Sequence, residues 1–311
     1  MILCAGECLI DMLPVTAQDG AAALQPAVGG AVMNTAVGLG RLGVPVEFLS
    51  GISTDAFGQQ IKTHVTASNV STKLAVLSDR PTTLAFVAVN NGVVSYEFYD
   101  ENTAGRMINP QDIAAIPEDV SALFFGGISL ISEPAADTYA TLLKTHAAQH
   151  VVMMDPNIRP AFIADEHRYR ARLAQMLSDT DIVKTSDEDL AWLFPEIPRI
   201  EDAIGALLNL GPKLVLFTEG AKGATAWNSQ GQSLFVPAPK AKVVDTVGAG
   251  DTFNAGFLAA LYDGQHLKKS KIASLSEAEI AKALAFAARC AAASVERSGA
   301  QPPWREEVQG G

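Results

Sequence analysis

From residue 122 onward, short apolar runs alternate along the chain with longer segments of helical periodicity. Strands that are apolar on both faces must be covered on both, and a helix that connects two of them makes them parallel. The alternation therefore predicts an α/β fold with a mostly parallel central sheet and helices on both faces. The predicted strands are 122–126, 151–155, 181–185 and 213–218, and the predicted helices are 134–150, 166–178, 187–194, 200–210 and 277–296.

The N-terminal part departs from this alternation. Residues 2–13 read as a strand that is interrupted at Gly6, and residues 14–28 are predicted to be irregular. A helix is predicted over 29–43, where apolar residues recur at helical spacing. No change of composition and no linker-like segment separates this part from the rest, so we expect a single domain over 1–311.

Residues 82–99 alternate between polar and apolar side chains around Asn90-Asn91-Gly92. Asn-Gly between two such runs is a strong signal for a β-hairpin. An antiparallel hairpin among helix–strand units indicates a small β-lid, which we expect to be inserted at about 82–104 together with 14–28. The alternative is a plain hairpin at the edge of the main sheet.

The segment Asp245–Phe253, DTVGAGDTF, predicts a sharp turn into a helix N-terminus. It follows the apolar run 242–244, which reads as a strand end, and it precedes an apolar helical face that ends at Gly264. Gly248 and Gly250 allow the backbone to fold so that unpaired N–H groups face one concavity. The helix N-terminus makes that concavity an anion site.

Asp251 is the unusual residue of this turn, because a phosphate site gains nothing from a carboxylate at its edge. An acid in this place can accept the proton of a nucleophile that attacks the phosphate. The helix terminus is expected to keep Asp251 ionised and only weakly basic. The alternative is an ordinary acid in the first turn of a helix.

Three other predicted strands end in polar or glycine-rich segments, and open α/β sheets bind ligands at the carboxyl ends of their strands. The segments are DPNIRP at 155–160, KTSDED at 184–189 and TEGAKG at 218–223. Arg159 suits a phosphate or a sugar hydroxyl, and an exposed loop arginine is its alternative. The acids of the second segment can equally be first-turn charges of a helix.

Composition restricts the partners. The chain has a net charge of −11 and its 23 Lys and Arg residues are not clustered, which argues against nucleic acid and anionic membranes. An odd number of cysteines, three in this long chain, favours reduced thiols and therefore the cytoplasm. The start of the sequence is not basic and no apolar run reaches membrane-spanning length, so we expect neither a signal peptide nor a membrane span.

Two familiar nucleotide motifs are excluded. GLGRLG at 38–43 matches the GxGxxG of dinucleotide-binding folds, but it ends a predicted helix and precedes a strand, which is the reverse of the required order. Close packing of a helix against the sheet explains these glycines better. The sequence contains no GxxxxGK[ST] segment, so it is not a P-loop kinase.

Together the remaining motifs resemble those of the ribokinase-like (PfkB) family of sugar and nucleoside kinases, in order and over nearly the whole chain. The resemblance is carried by Asp11, GG-x-x-x-N-x-A at 29–36, the hairpin, DPNIRP, a variant of the usual Asn-x-x-Glu at 186–189, TEGAKG and DTVGAGDTF. It implies an ATP-dependent carbohydrate kinase that uses Mg²⁺ and forms a homodimer through the lid.

The resemblance also implies roles for individual residues. Asp251 is the catalytic base, the amides of Gly248, Ala249 and Gly250 form an anion hole, and Arg159 is the cationic partner of the phosphate. The implied sugar contacts are Asp11, Gly29, Gly30, Asn34, Phe98, Asn157, Arg159 and Asp251. The implied nucleotide contacts are Lys184, Ser186, Thr218, Gly220, Gly223, Gly248, Gly250, Ala285 and Ala288. The implied ion contacts are Asp189 for Mg²⁺ and main-chain carbonyls around Asp245, Val247 and Gly299 for K⁺.

Residues 96–106, YEFYDENTAGR, resemble the lid region of bacterial fructokinases. Keto-deoxygluconate kinases, by resemblance, carry an arginine after the tyrosines that pairs with a sugar acid, whereas Asp100 would repel a carboxylate. We therefore expect fructose, phosphorylated at O6, with 2-keto-3-deoxygluconate and ribose as alternatives. A catalytically silent sugar-binding regulator on the same fold is a further alternative, and the intact Asp251 argues against it.

Overall fold

The computed structural model describes residues 1–90 and 93–308. Its strands, numbered in chain order, are β1 Ile2–Ala5, β2 Leu9–Thr16, β3 Ala22–Gly29, β4 Val46–Leu49, β5 Gly51–Ser53, β6 Val70–Ser71, β7 Val76–Ser78, β8 Leu84–Asn90, β9 Val93–Tyr99, β10 Ala122–Gly126, β11 Val151–Asp155, β12 Ile182–Ser186, β13 Leu214–Thr218, β14 Gly223–Asn228 and β15 Ser233–Pro237. Its α-helices are α1 Ala31–Arg41, α2 Ala56–Ala67, α3 Ala135–His146, α4 Glu166–Ser178, α5 Asp187–Leu193, α6 Ile200–Leu210, α7 Ala249–Asp263, α8 Lys269–Ile272, α9 Glu277–Val295 and α10 Arg305–Val308.

The main sheet of the described chain has nine strands in the order β15-β14-β13-β12-β11-β10-β1-β4-β6. The strands from β13 to β6 pair in parallel, while β14 and β15 add an antiparallel edge. The predicted α/β fold with a mostly parallel sheet is therefore confirmed. Strands β10 and β11 and helices α4 and α6 have the bounds that the sequence predicted.

Both faces of this sheet are covered by helices, because successive residues of a strand point to opposite sides. On one side Ile2 and Cys4 belong to a buried cluster with residues of α1, α7 and α9. On the other side Leu3 and Ala5 pack with residues of α3, α4 and α6. A Cβ added to Gly38 on α1 would lie 2.6 Å from the Cβ of Ala255 on α7, so this glycine allows close packing against a helix and not, as predicted, against the sheet.

A second sheet has the order β3-β2-β8-β9 within the described residues. Strand β2 pairs antiparallel with β3 and parallel with β8, and β8 pairs antiparallel with β9. The predicted hairpin is therefore confirmed, and it belongs to this separate sheet, not to an edge of the main one. Asn91 and Gly92, which were predicted to form its turn, lie outside the described residues.

Two local predictions are wrong. Residues 14–28 are not irregular, because β2 and β3 pair along their whole length and this pairing overrides the weak strand propensity of a small, polar segment. Residues 242–244 form no strand, and Val243 and Val244 are exposed. The hairpin of β14 and β15, which the sequence analysis did not anticipate, precedes them at the sheet edge. In the part of the chain that the structure describes, no helix combines the length and apolarity needed to cross a bilayer.

Candidate active site

Helix α7 places Asp251 in its first turn, beside the N-terminal turn of α1. The carboxylate is buried, and its Oδ2 accepts a hydrogen bond of 2.9 Å from Nδ2 of Asn34. The hydroxyl of Thr35 donates to the main-chain carbonyl of Asp251 at 3.3 Å. Two residues that are 217 positions apart in the sequence, Asn34 and Asp251, thus meet between two adjacent helix N-termini.

Gly248 forms the turn before α7 in the left-handed conformation, with φ of +76°. A Cβ at this position would lie 2.7 Å from the Cβ of Ala300, so both the backbone angle and the space require glycine. Helix geometry leaves the first amides of α7 without intrahelical acceptors. The amide of Ala249, predicted as part of the anion hole, instead donates to the carbonyl of Thr246 at 3.2 Å in the turn. The amides of Gly248, Gly250 and Asp251 are therefore the remaining candidates for the predicted anion hole.

The expectation that Asp251 is a weak base is also wrong. Burial raises the pKa of Asp251 to about 7, more than the hydrogen bond from Asn34 lowers it. The negative charges of Asp155 and Glu7 raise the pKa further, and the nearby Lys184 ammonium opposes them. Desolvation therefore outweighs the helix terminus, and Asp251 holds its proton more strongly than an exposed aspartate.

This pKa predicts the pH dependence of the reaction. As the predicted base, Asp251 could accept a proton only when it is ionised, so kcat/KM is expected to rise with pH and level off above an apparent pKa of about 7. The measurement is kcat/KM for the sugar across this range at constant ionic strength. A kcat/KM that stays constant down to about pH 5 would contradict the proposed protonation state, because a base of ordinary pKa stays ionised there.

A cavity of about 350 Å³ opens in front of Asp251. It brings together most of the predicted sugar contacts, which come from β2, the start of α1, β9, the loop after β11 and the start of α7. They are Asp11, Gly30, Asn34, Phe98, Asn157, Arg159 and Asp251. Gly29 does not line this cavity; a Cβ there would lie 2.1 Å from Oδ2 of Asp11, so the absence of a side chain leaves room for that carboxylate.

Glu7 lines the same cavity and is not among the predicted site residues. Its Oε1 accepts from the amide of Ala31 at 3.0 Å, and its Oε2 accepts from the amide of Ser129 at 3.2 Å. Burial raises the pKa of Glu7, and burial also raises the pKa of Asp11 to about 6. In the sequence, Glu7 is a lone acid inside the apolar run 2–10, and this pattern could have indicated a functional residue.

The loop after β11 carries Asn157 and Arg159 at the edge of this cavity. Asn157 has a φ of +43°, a backbone angle that asparagine tolerates better than most residues. Arg159 is exposed, and its Nη1 donates to the carbonyls of Asn157 at 3.3 Å and Ile158 at 3.1 Å. The guanidinium therefore stabilises its own loop through these hydrogen bonds, at the solvent side of the cavity.

A second, more apolar cavity of about 620 Å³ lies on the other side of the α7 N-terminus. Five of the predicted nucleotide contacts line it, namely Thr218, Gly220, Gly223, Gly250 and Ala288. Thr246 and Gly250 line both cavities, so the two spaces meet at the glycine turn. Ala285 does not line this cavity, whereas Lys184, Ser186 and Gly248 line the first one, and their contacts with a nucleotide stay predictions.

Ser186 and Asp189 have defined partners at the start of α5. The Ser186 hydroxyl accepts from the amide of Asp189 at 3.1 Å as the N-cap of that helix. Oδ1 of Asp189 accepts from the amide of Ile158 at 2.7 Å and so holds the loop that carries Arg159. The described residues contain no cluster of three or more metal-ligating side chains. Mg²⁺ in a nucleotide site commonly uses one or two carboxylates together with phosphates, a pattern that Asp189 in the cavity fits.

The residues of the predicted K⁺ site are brought together by a side chain. The carboxylate of Asp245 accepts from the amide of Val247 at 3.0 Å and from the amide of Gly299 at 2.8 Å. Gly299 has a φ of +72°. These contacts join the turn before α7 to the segment after α9, and the K⁺ site itself stays a prediction.

Asp100 does not lie in the cavity that holds Asp251. It lines a neighbouring cavity, where it pairs with Arg106 at 2.9 Å and accepts from the hydroxyl of Ser132 at 2.5 Å. Its charge is therefore balanced locally, and the sequence argument that Asp100 repels a sugar acid does not hold for this position. Phe98 lines both spaces, and its ring centroid lies 4.4 Å from that of Phe162.

The fold and these two joined cavities define a class of protein. Residues 1–307 match the family model described as pfkB family carbohydrate kinase, and the chain belongs to this family.

Within this family, the chain is similar to several fructokinases. The chain is 48% identical over 278 residues to a fructokinase of Rhizobium leguminosarum bv. trifolii, covering 89% of this chain and 84% of the relative. It is 31% identical to a fructokinase of Klebsiella pneumoniae over 98% of this chain and 96% of that protein. Among solved structures, a fructokinase from Xylella fastidiosa with bound ATP superposes with a TM-score of 0.89 at 28% identity, covering 99% of this chain and 96% of that one.

Proposed function

We propose that this protein transfers the γ-phosphate of ATP to O6 of fructose. One observation carries the proposal: the buried Asp251 and the free amides of the glycine turn lie where a polar cavity meets a larger apolar one. A sugar in the first cavity and a nucleotide in the second would meet at this turn. The fructokinase relatives support fructose as the acceptor.

In this mechanism the oxygen of the sugar hydroxyl forms a bond to the γ-phosphorus, and the bond between that phosphorus and ADP breaks. Asp251 takes the proton that the hydroxyl loses. The amides of Gly248, Gly250 and Asp251 donate to the oxygens of the transferred group, on which charge accumulates. Asn34 fixes the orientation of the Asp251 carboxylate through the 2.9 Å hydrogen bond. Asp189 would hold Mg²⁺, which offsets the charge of the nucleotide phosphates when it is bound.

The remaining roles follow the arrangement of the cavities. Asp11, Gly30, Asn34 and Asn157 would bind sugar hydroxyls, because acids accept and amides both donate and accept. Arg159 would contact the sugar or the transferred phosphate from the solvent side, and Phe98 on the lid would exclude water. The apolar cavity around Ala288 would hold the adenine base.

The charge of the sugar cavity supports a neutral acceptor. Its lining includes Glu7, Asp11, Asp155, Asp189 and Asp251. The cationic side chains of the same lining are Lys184 and Arg159. A sugar acid such as 2-keto-3-deoxygluconate would add a further negative charge to a cavity already rich in carboxylates. The carboxylates of this cavity, and not Asp100, are therefore the reason to prefer fructose over a sugar acid.

A panel of acceptors tests the substrate. We expect ADP formation with fructose to exceed that with ribose, 2-keto-3-deoxygluconate, adenosine or no sugar by a factor of at least ~10, since a site built for one set of hydroxyls rejects others by this much or more. Activity confined to sugar acids would show a keto-deoxygluconate kinase instead. Fructose-dependent thermal stabilisation without ADP formation would show a silent sugar-binding regulator.

Other expectations from the sequence stay proposals. We keep the proposal of a single domain over 1–311 with a lid. Strands β2, β3, β8 and β9 form a sheet separate from the main one, which supports their role as the lid. The lid exposes Val15, Leu24 and Tyr99, which supports a homodimer through this surface; a monomeric mass in sedimentation would refute it. Three buried free cysteines support a reducing compartment such as the cytoplasm.

A further inference from the structure

Glu7 is a buried carboxylate that connects three segments around the cavity in front of Asp251. It lies between β1 and β2 with a relative exposure of 9%. Its Oε1 accepts from the amide of Ala31, the first residue of α1, and its Oε2 accepts from the amide of Ser129 in the turn after β10. Both oxygens accept from N–H groups, which fits the ionised carboxylate. All three segments contribute residues to the lining of this cavity.

Helix α1 has no capping side chain at its own N-terminus. The residue before the helix is Gly30, and the first turn contains no acid. Gly30 has a φ of +119°, and a Cβ there would lie 2.8 Å from the main-chain oxygen of Glu7, so this position excludes the usual capping residues. The first amides of a helix lack intrahelical acceptors. Glu7, which lies 24 positions before Ala31 in the sequence, supplies the acceptor for this amide.

The chain leaves room for the Glu7 carboxylate and gives it no cation. A Cβ added to Gly127, which has a φ of +63°, would overlap with Oε1 of Glu7. Among the residues that the structure describes, none of the ion pairs involves Glu7. A buried charge without a counterion is costly, so the amides of α1 and of the turn after β10 are what stabilises this carboxylate.

The first turn of α1 determines where Asn34 lies. The amide of Asn34 donates to the carbonyl of Gly30 at 2.8 Å, so Asn34 belongs to the turn that Glu7 caps. The side chain of Asn34 in turn donates to Oδ2 of Asp251 at 2.9 Å. A displacement of this turn would therefore move Asn34 relative to the carboxylate of Asp251.

We infer that Glu7 is a positioning residue of the reaction: it caps α1 from outside the helix and thereby places Asn34 against Asp251. This role rests on the proposed kinase function, because the orientation of Asp251 matters for turnover only if Asp251 is the base. Glu7 exchanges no proton with the substrates. It acts through the helix and through its fixed negative charge.

The charge of Glu7 provides a measurement that a purely structural residue would not affect. Burial is the largest cause of the raised pKa of Asp251, and the negative charge of Glu7 raises it further. Cys8 and Tyr139 are two other titratable groups close to Glu7, and burial raises their pKa values so far that both stay neutral around pH 7. Removal of the Glu7 charge should therefore lower the pKa of Asp251.

The test begins with Glu7→Gln, which removes the charge and retains the size of the side chain. Its single side-chain oxygen replaces two acceptors that face amides of different segments. We expect kcat/KM for fructose at its high-pH plateau to fall by ~10-fold or more, since hydrogen bonds to charged groups have about this effect. The midpoint of the pH profile should move to lower pH. Asp155 and Lys184, the other charged groups that act on Asp251, are unchanged in this variant.

Glu7→Asp separates the charge from the reach of the side chain. It keeps the charge but is one methylene shorter, so it cannot reach both amides. We expect a similar fall of the plateau with the midpoint of the wild type. Glu47→Gln is the matched control, because Glu47 on β4 is also buried, accepts from the amide of Leu74 at 2.8 Å and lines neither cavity. This control should keep both the plateau and the midpoint.

Fructose affinity, measured by calorimetry without ATP, gives a readout that needs no turnover. Gly30 and Asn34 lie in the capped turn and are proposed sugar contacts, so both Glu7 variants are expected to bind fructose ~10-fold more weakly. An affinity within ~2-fold of the wild type in both variants would overturn the inference.

Two kinetic results would also overturn it. One is a Glu7→Gln plateau within ~2-fold of the wild type. The other is a lower plateau with an unchanged midpoint, which would show that Glu7 has only a structural role. A wild type that binds fructose but forms no ADP with any sugar would refute the proposed function. A wild type that is active while both Glu7 variants behave like it would refute only the role of Glu7.

Discussion

Asp251→Asn is expected to lower kcat by roughly 100- to 10,000-fold, while the KM values for sugar and ATP change little. The side-chain amide retains the size of the carboxylate, and its oxygen can still accept the hydrogen bond from Asn34 that measures 2.9 Å in the wild type. The variant cannot accept the proton of the attacking hydroxyl. The loss should therefore appear in the chemical step and not in binding.

Asp263→Asn is the matched control for this variant. Asp263 ends the same helix, is exposed and pairs with Arg305 at 2.8 Å. Loss of an exposed pair of this kind costs at most about 1 kcal/mol of stability, and kcat should stay within experimental error of the wild type. Turnover of Asp251→Asn near the wild-type level would remove Asp251 as the base.

Gly248→Ala is expected to be the second most damaging change. The left-handed backbone, with φ of +76°, costs a non-glycine residue about 1–2 kcal/mol. The new Cβ would also lie 2.7 Å from the Cβ of Ala300, so the turn must shift. Because the amides of this turn are the proposed donors to the phosphoryl oxygens, we expect kcat to fall by ~100-fold or more in addition to the loss of stability.

Gly231→Ala separates backbone strain from damage to the site. Gly231 has a φ of +77°, and a Cβ there would meet no atom within 4 Å. We expect this variant to lose about the same 1–2 kcal/mol of unfolding free energy from backbone strain and to keep its kcat. Stability is measured by chemical denaturation and kcat by ADP formation. Equal kcat values for Gly248→Ala and the wild type would contradict the proposed role of the turn.

The sequence predicted best what local patterns determine. The continuous apolar runs at 122–126 and 151–155 can only be strands buried on both faces, and they have those bounds in the structure. The turn at 245–253 was predicted as a helix N-terminus because glycines and helical periodicity adjoin there, and α7 begins at Ala249. Both signals lie within a few consecutive residues.

Most of the wrong predictions concern features that are determined by contacts between residues distant in sequence. Strands β2 and β3 exist because they pair with each other, which the small and polar composition of 14–28 does not reveal. The pKa of Asp251 is set by burial and by Asp155 and Lys184, neither of which is its neighbour in the chain. Ala249 looked like an anion-hole donor, but its amide is engaged by Thr246 in the turn.

The most direct test of the account follows the γ-phosphate of labelled ATP in the presence of fructose. We expect the label to appear on O6 of fructose, with one ADP formed for each phosphate transferred, and no ADP to form when sugar is omitted. Label that is released as inorganic phosphate at the same rate with and without fructose would contradict it. So would label that stays on ATP while the protein demonstrably binds both ligands.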